Sequence, residues 1–206
     1  MLVAQGINTY YGLSHILFDL SVEIANGEIV CVLGRNGVGK TTLMRTLMGL
    51  TPPRTGSVKF KGQEVAGQRP YQLARRGLGY VPADRRIFPD LTVRQNLEIA
   101  QKPGSPDSDL KPWTFEDVFR FFPLLKKLEN RLGNQLSGGE QQVLSTARAV
   151  IGNADRGVSI LLCEQNTKFA FKISSRGYII DKGRVLYQGP VEELSQSQEV
   201  KDCLAI

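Results

Sequence analysis

The strongest constraint on the fold is a short apolar run, a glycine-rich loop and a helical pattern that follow one another within residues 29–50. The run Ile-Val-Cys-Val-Leu at 29–33 is rich in β-branched residues, which predicts a buried strand. After the loop, Leu43, Leu47 and Leu50 recur at the spacing of one helix face, and no proline interrupts the stretch before Pro52. The segment therefore predicts a strand–loop–helix unit of an α/β protein.

The loop itself carries the chemistry, because it reads Gly-Arg-Asn-Gly-Val-Gly-Lys-Thr from position 34 and so matches G-x-x-x-x-G-K-[ST]. Glycines let the backbone N–H groups and the helix N-terminus point at phosphate oxygens, and Lys40 adds a positive charge. Thr41 is the expected Mg²⁺ ligand. A glycine turn that binds nothing would not explain the Lys-Thr pair. The predicted nucleotide-binding residues here are Gly34, Asn36, Gly37, Gly39, Lys40, Thr41 and Thr42.

Length and composition narrow the class of protein. A chain of 206 residues suits one sizeable domain or one core with a small subdomain. The net charge of +6 comes without a dense Lys/Arg block, so it does not predict a nucleic-acid partner. Three widely spaced cysteines indicate neither a disulfide framework nor a metal site, which favours a reducing compartment. No signal peptide and no bilayer-length apolar run is expected, so a partner would supply any membrane-spanning part.

Short apolar runs alternate with turns before the loop, and this pattern predicts an antiparallel β edge over residues 1–30. Asn26-Gly27 is typical of a hairpin turn. Tyr10 and Tyr11 are expected in the first turn, where a ring can stack on a purine or pack on the sheet edge. Spacing alone favours neither role.

Beyond the loop helix, alternation predicts a strand at 56–62 and an apolar run predicts a buried strand at 78–82. Thr92 with Gln95 fits a capping box, so a helix is expected from Val93 to about Ala100. A second box, Thr114 with Asp117, opens an apolar helix pattern that Pro123 should end.

A third capping box joins Ser137 and Glu140, and it places Gly138 and Gly139 in the first helical turn. Glycine is a poor helix former, so capping alone does not explain this pair. Two glycines are expected if another anion must approach the exposed N–H groups closely.

The chain thus has two helix N-termini that could bind an anion. With these in place, it resembles the ATP-binding subunits of ABC transporters over nearly its whole length. The resemblance is closest to the subunits of branched-chain amino acid or urea importers. Residues 34–42 resemble the Walker A loop, residues 136–142 the signature motif, and Tyr11 the adenine-stacking aromatic. Residues 88–93, 162–166 and 176–185 are similar to that importer subgroup in particular. The resemblance implies an α/β P-loop ATPase core with an antiparallel β edge and an α-helical subdomain, organised as one domain (1–206) with core 1–90 and 138–206 and subdomain 91–137.

The resemblance also implies cofactors and partners. ATP with Mg²⁺ would bind at the loop, with Thr41 on the metal, and two ATPase subunits would pair head to tail as a homo- or heterodimer. Ser137, Gly138 and Gly139 would then meet the γ-phosphate held by the other copy. Integral membrane permease subunits are the expected partners, a substrate-binding protein is an indirect one, and nucleic acid is not expected. The implied location is peripheral, on the cytoplasmic face of the inner (plasma) membrane.

Two single positions depart from the family pattern. Ala83 stands where the family usually has a glutamine, and alanine has no side-chain ligand. Gln165 stands at the catalytic switch position, often histidine, and it can hydrogen-bond a γ-phosphate but cannot titrate near neutral pH. The only histidine, His15, is expected at the surface of the N-terminal β region.

The severe departure follows Asn153, where four residues lead directly to a predicted strand at 158–162. The family places here a strand ending in Asp-Glu, a loop and a helix, which need roughly 30 residues. The chain therefore lacks one central βα unit, and with it the Walker B aspartate and the catalytic glutamate. Glu164 with Cys163 is a disfavoured replacement, because Mg²⁺ prefers hard oxygen ligands to a thiol.

Three interpretations follow for the activity. The chain is the energy-coupling subunit of an importer for branched-chain amino acids or urea and amides, with very slow ATP hydrolysis. Alternatively, it is a hydrolysis-deficient nucleotide-binding remnant that pairs with an intact ATPase subunit. As a third interpretation the chain is incomplete, which an intact mass compared with 22.8 kDa would show. An ABC protein acting on nucleic acid is disfavoured, because such proteins usually carry two ATPase domains or long insertions.

Overall fold

A computed structural model describes residues 1–81, 86–101, 112–152, 159–163 and 167–204 of the chain. These residues belong to two compact units, one formed by Met1–Leu73 with Ser159–Ile206 and the other by Ala74–Val158. Among the residues described, no helix is long and apolar enough to cross a membrane.

The strands fall into two four-stranded sheets of the first unit. In chain order they are β1 (Leu2–Tyr11), β2 (Ser14–Ile24), β3 (Ile29–Leu33), β4 (Thr55–Phe60), β5 (Gln63–Glu64), β6 (Ile160–Cys163), β7 (Arg176–Asp181) and β8 (Arg184–Pro190). One sheet has the order β2-β1-β4-β5, and its pairings are antiparallel. The other has the order β6-β3-β7-β8, with β6, β3 and β7 parallel.

The helices are divided between the two units. Those of the first unit are α1 (Lys40–Leu47), α2 (Pro70–Arg75), which extends two residues past its boundary, α7 (Thr167–Ile173), α8 (Val191–Gln196) and α9 (Gln198–Leu204). Those of the second unit are α3 (Val93–Ala100), α4 (Phe115–Phe121), α5 (Pro123–Lys127) and α6 (Gly138–Ile151).

Strand β3 is central because four of its five residues are buried and it is paired on both sides. Cys31 and Leu33 pack with Ile179 of β7 and with apolar residues of α7, α8 and α9. This packing fixes the end of β3, where the glycine loop starts. The predicted α/β P-loop class with an antiparallel β edge is confirmed.

Strand β6 differs from β3 although its sequence, Ile-Leu-Leu-Cys, is equally apolar. All four of its residues are only partly buried. In the described part of the chain, β6 pairs with β3 alone and therefore ends the sheet. A strand that reads as a core strand but lies at an edge fits the expected loss of a neighbouring βα unit.

The expected buried strand at 78–82 is wrong for the residues that the structure describes. Residues 78–81 form no strand, and none of them is buried. Pro82 lies outside the described residues. A strand needs a neighbouring strand to satisfy its backbone groups, and residues 78–81 belong to neither of the two described sheets.

Other expectations are confirmed or corrected locally. The helix at Val93 begins and ends as predicted, and Thr92 and Gln95 form both halves of the capping box. The helix after Thr114 ends at Phe121, before Pro123, as the proline requires. Asn26-Gly27 forms a turn but no hairpin, because β2 and β3 belong to different sheets.

The second unit has its own apolar core. Val93 and Leu97 of α3 pack with Val118 and Leu125 of the α4–α5 pair and with Leu144 of α6. Residues from 138 onward are expected with the core domain, yet the apolar face of α6 packs in this cluster of the second unit. The division of function between core and helical subdomain stays a prediction.

Candidate functional site

The glycine loop leaves the end of β3 and turns directly into α1. Gly39 precedes the helix at φ 111°, a left-handed conformation, and no side chain caps the helix N-terminus. A Cβ at Gly39 would lie 2.9 Å from Leu17 Cδ2, and one at Gly34 would lie 2.3 Å from the carbonyl oxygen of Ile180. Glycine is therefore required on the inner side of the loop. On the outer side Gly37 is exposed, and a Cβ there would meet no atom within 4 Å.

Lys40 folds over the loop. Its Nζ donates to the carbonyl oxygens of Gly34 at 2.6 Å and Arg35 at 2.8 Å. Burial lowers the pKa of Lys40, and the nearby Cys163 acts in the opposite direction. An ammonium group has three N–H donors, so one remains beyond the two used on the loop carbonyls. That donor suits a phosphate oxygen.

The other predicted residues of the loop surround this group. Asn36 and Thr41 are exposed, whereas Thr42 is buried in the first turn of α1. The uncapped N–H groups of α1 and the Lys40 ammonium together form an anion site of the kind that binds phosphate.

The described residues at the loop provide fewer ligands for Mg²⁺ than hydrogen-bond donors for phosphate. Thr41 offers one hydroxyl oxygen, and the described residues contain no group of three or more His, Cys, Asp or Glu side chains that could hold a metal ion. Mg²⁺ commonly takes its remaining ligands from water and nucleotide phosphates. The described part of the site thus offers one hydroxyl oxygen, that of Thr41, to a metal that a nucleotide would bring.

Cys163 ends β6 beside this loop. It pairs in register with Val32, and its Sγ lies 3.9 Å from the carbonyl oxygen of Lys40. The predictions for Ala83, Glu164 and Gln165 fall on residues outside the described part of the chain. Only the thiol of the disfavoured Cys163–Glu164 pair is therefore placed at the loop.

The two tyrosines at the end of β1 have different surroundings. Tyr10 stacks on His15, with ring centroids 4.1 Å apart, and Arg54 lies over its other face at 4.2 Å. The ring of Tyr11 is 44% exposed. Tyr10 therefore packs within the chain, and Tyr11 has the accessible ring that a purine needs. His15 is not a simple surface residue, since it is partly buried and bonded to Asn8 at 3.0 Å.

The second helix start lies in the other unit. Ser137 caps α6, its N–H donates to Glu140 at 2.7 Å, and this backbone hydrogen bond lowers the pKa of Glu140. Gly138 and Gly139 are exposed. A Cβ at Gly139 would meet nothing within 4 Å, so packing inside the chain does not explain the glycine.

Sequence reasoning missed the contacts behind the loop. Ile180 and Gly183, at the tip of the β7–β8 hairpin, touch or bond to loop residues. The sequence signals were the resemblance of residues 176–185 to the importer subgroup and the dipeptide Lys182-Gly183, which is typical of a tight turn, but neither says what the turn contacts.

Comparison with known protein families matches residues 17–160 to the ABC transporter family. The chain belongs to the ABC transporter family. The match spans both helix N-termini that could bind an anion. Together with the relatives below, it identifies an ABC transporter ATP-binding subunit. The family binds ATP.

Two relatives of this ABC protein are named as ATP-binding proteins of branched-chain amino acid transport. It is 32% identical to the high-affinity branched-chain amino acid transport ATP-binding protein BraG of Pseudomonas aeruginosa, over 98% of each chain. It is 30% identical to the probable branched-chain amino acid transport ATP-binding protein LivF of Archaeoglobus fulgidus, over 100% of this chain and 99% of the relative. The lipopolysaccharide export system ATP-binding protein LptB of Escherichia coli K12 is 26% identical, over 97% of this chain and 95% of the relative.

The alignment lengths bear on the missing unit. The BraG alignment runs over 230 residues and the LivF alignment over 236, although this ABC chain has 206. Roughly 30 aligned positions therefore have no counterpart here, the size of one βαβ unit. This agrees with the unit expected to be missing after Asn153.

Solved structures show the same fold. A nucleotide-free ATP-binding cassette of an ABC transporter has a TM-score of 0.79 at 19% identity, covering 100% of this chain and 98% of that one. A dimeric cassette bound to ADP and phosphate has a TM-score of 0.75 at 19% identity, covering 93% and 99%.

Proposed function

We propose that this chain is the ATP-binding, energy-coupling subunit of an ABC importer for branched-chain amino acids or for urea and other amides. The observation that carries the proposal is the glycine loop with the Lys40 ammonium at its mouth, in a chain whose relatives BraG and LivF serve branched-chain amino acid transport. The LptB relative belongs to an export system, so the importing direction rests on the higher identity to BraG and LivF.

Each residue has a role in this proposal. Lys40, Gly37, Gly39 and the N-terminus of α1 hold the ATP phosphates, while Asn36 and Thr42 complete the loop. Tyr11 stacks on the adenine, because its ring is exposed at the end of β1. Thr41 would hold Mg²⁺, which neutralises phosphate charge when bound.

The helix start at 137–139 acts in a dimer. Gly138 and Gly139 are exposed in the first turn of α6, and we assign them, with the Ser137 hydroxyl, to the γ-phosphate held by a second ATPase subunit. ATP binding then closes the dimer, and closure moves integral membrane permease subunits. The chain would lie peripherally on the cytoplasmic face of the membrane, reach a substrate-binding protein only indirectly, and bind no nucleic acid.

Hydrolysis should be slow in this chain. The carboxylates that usually hold the metal and polarise water belong to the missing unit, and Gln165 can at most hydrogen-bond a phosphate. ATP binding is thus expected without rapid phosphate release.

The direct test measures ATP affinity and phosphate release on the purified chain, with Lys40→Ala beside Lys127→Ala, a control at an exposed lysine of α5. We expect Lys40→Ala to abolish ATP binding and Lys127→Ala to leave it unchanged. Robust Lys40-dependent turnover would contradict slow hydrolysis, and equal ATP affinity in both variants would contradict the site.

The direction and substrate need a separate test. The chain would be reconstituted with branched-chain amino acid permease subunits and their binding protein in vesicles, and labelled leucine and urea offered from the binding-protein side. Uptake of either supports the importer proposal. Outward movement alone, or no movement of either solute with an intact BraG control active, would contradict it.

A second candidate function is supported by β6, whose partly buried edge position fits a chain that has lost a core strand. In this case the chain pairs with an intact ATPase subunit and contributes Ser137 and Gly139 to one composite site. Mixing it with an intact homologue should give a mixed dimer that hydrolyses ATP. Absence of both dimer and activity would exclude this candidate.

A further inference from the structure

The hairpin between β7 and β8 turns through Lys182 and Gly183, whose φ angles are 43° and 76°. Two consecutive positive φ angles define the tight turn that matches the twist of a two-stranded hairpin. The tip of the hairpin therefore has a fixed shape.

Gly183 joins two other segments through its backbone. Its N–H donates to the carbonyl oxygen of Val38, in the glycine loop, at 2.9 Å. Its carbonyl oxygen accepts the N–H of Phe18, in β2, at 2.9 Å. One residue thus bridges the phosphate loop and the antiparallel sheet.

The bridge leaves no space for a side chain. A Cβ at Gly183 would lie 1.9 Å from the carbonyl oxygen of Ile16 and 2.9 Å from Phe18 Cδ2. The first of these atoms is backbone in β2, so it cannot move aside as a flexible side chain can. Any other residue here must push the hairpin tip away from β2 or the loop.

The same hairpin supports the loop at further points. A Cβ at Gly34 would lie 2.3 Å from the carbonyl oxygen of Ile180, and one at Gly39 would lie 3.6 Å from Gly183 Cα. Val38, between them, is 8% exposed. The inner side of the loop thus contacts the hairpin along most of its length, while its outer side is open.

We propose that Gly183 is a positioning residue for nucleotide binding: it holds the phosphate loop in its curled form through Val38. The proposal rests on the proposed function, because it assumes that the loop binds ATP. Loop N–H groups bind phosphate well only when they are already aimed at it, and a displacement of about 1 Å can cost a hundredfold.

The chain contains a matched control. Lys61 and Gly62 form the same Lys-Gly turn between β4 and β5, with φ angles of 51° and 77°. A Cβ at Gly62 would meet no atom within 4 Å. Gly62→Ala therefore carries the same backbone strain as Gly183→Ala without any contact to the loop.

The test compares ATP affinity of the full chain, by displacement of a fluorescent ATP analogue, with thermal stability in the same samples. We expect Gly183→Ala to weaken ATP binding roughly tenfold or more, and Gly62→Ala to leave it within about twofold of the parent chain. Equal ATP affinity in Gly183→Ala and Gly62→Ala would overturn the proposal. If the parent chain itself bound no ATP, the proposed function would fail instead.

Two further measurements test the proposal if Gly183→Ala does not fold. Asparagine adopts a positive φ more easily than alanine, but it introduces the same Cβ. Gly183→Asn should therefore still weaken ATP binding, whereas Gly62→Asn should not. In the parent chain, ATP should slow amide hydrogen exchange across residues 180–184 but not across 59–64. No change at 180–184 on ATP saturation would count against a bridge at Gly183.

Discussion

Arg176 and Glu28 form an ion pair with several further hydrogen bonds in the first unit. Arg176 Nε lies 2.8 Å from one carboxylate oxygen of Glu28, and Nη2 lies 3.1 Å from the other. The same guanidinium donates to Tyr178 at 2.7 Å and to the carbonyl oxygen of Glu23 at 2.8 Å. This pair ties the start of β3 to β7, and the hydrogen bond from Arg176 lowers the pKa of Glu28 more than burial raises it.

A lowered pKa means that the pair stabilises the fold above the ordinary carboxyl pKa of about 4.3, and that this stability is lost as the pH falls through the lower folded value. We expect Glu28→Gln to lower the free energy of unfolding by about 2 kcal/mol at pH 7, and the difference to narrow below about pH 4. Urea unfolding across pH measures this.

Glu23→Gln is the control, because that side chain is 67% exposed and 4.0 Å from Arg176. It should change stability by less than about 0.5 kcal/mol. A Glu28→Gln difference that stayed constant from pH 7 to pH 3 would show that charge is not its cause.

The neighbouring tyrosines give a second prediction at this scale. Tyr11→Ala should weaken ATP binding roughly tenfold with little loss of stability, because an exposed ring stacks on a base without supporting the fold. Tyr10→Ala should cost about 1 to 2 kcal/mol of stability, because it loses the contacts with His15 and Arg54. ATP titration and urea unfolding of both variants separate the effects. The reverse pattern would place the base on Tyr10.

Among the elements, β3 and β6 show how burial differs for similar sequences. Leu33 of β3 is fully buried, whereas Leu161 of β6 is only partly buried. We expect Leu33→Ala to cost about 3 kcal/mol of unfolding free energy and Leu161→Ala about 1 kcal/mol, because burial and cavity terms scale with the area removed from water. Urea midpoints of the two variants would show the difference. Equal costs would mean that β6 is covered in solution.

Some helices and strands could be predicted from the sequence and others could not. The capping boxes at Thr92, Thr114 and Ser137 set helix starts through local hydrogen bonds, so pattern alone located them. The strand expected at 78–82 failed because a strand depends on a partner, which periodicity does not report. The short helix α2 was missed because its six residues carry little periodicity.

For the candidate site, the sequence identified the loop because its glycines and Lys-Thr pair have a local chemical purpose. Spacing alone could not separate Tyr10 from Tyr11, and the family resemblance selected Tyr11 without showing that Tyr10 packs against His15 and Arg54. The contact between Gly183 and Val38 joins residues far apart in sequence, so only the folded chain shows it.

At the scale of the whole molecule, we expect the unit missing after Asn153 to limit the ATP hydrolysis rate. Inserting the corresponding segment of BraG between Asn153 and Val158 should raise the ATP hydrolysis rate by roughly a hundredfold or more, because it returns a general base and a metal ligand. Phosphate release on the purified insertion variant measures this.

The matched control is the same insertion with its acidic residues changed to the corresponding amides. This control should restore the fold of the inserted unit but not the rate. If both insertions hydrolysed ATP equally, the carboxylates would not be the missing component, and if neither did, the loop of this chain would itself be deficient.

The edge position of β6 is also expected to affect the abundance and lifetime of the protein in a cell. A short apolar strand that is only partly buried at the edge of the described sheet attracts other strands, and transiently exposed segments of this kind are recognised by chaperones and proteases. A small loss of stability then changes abundance several-fold. We therefore expect the amount of this protein to follow the supply of subunits that bind it, and a copy made alone to be short-lived.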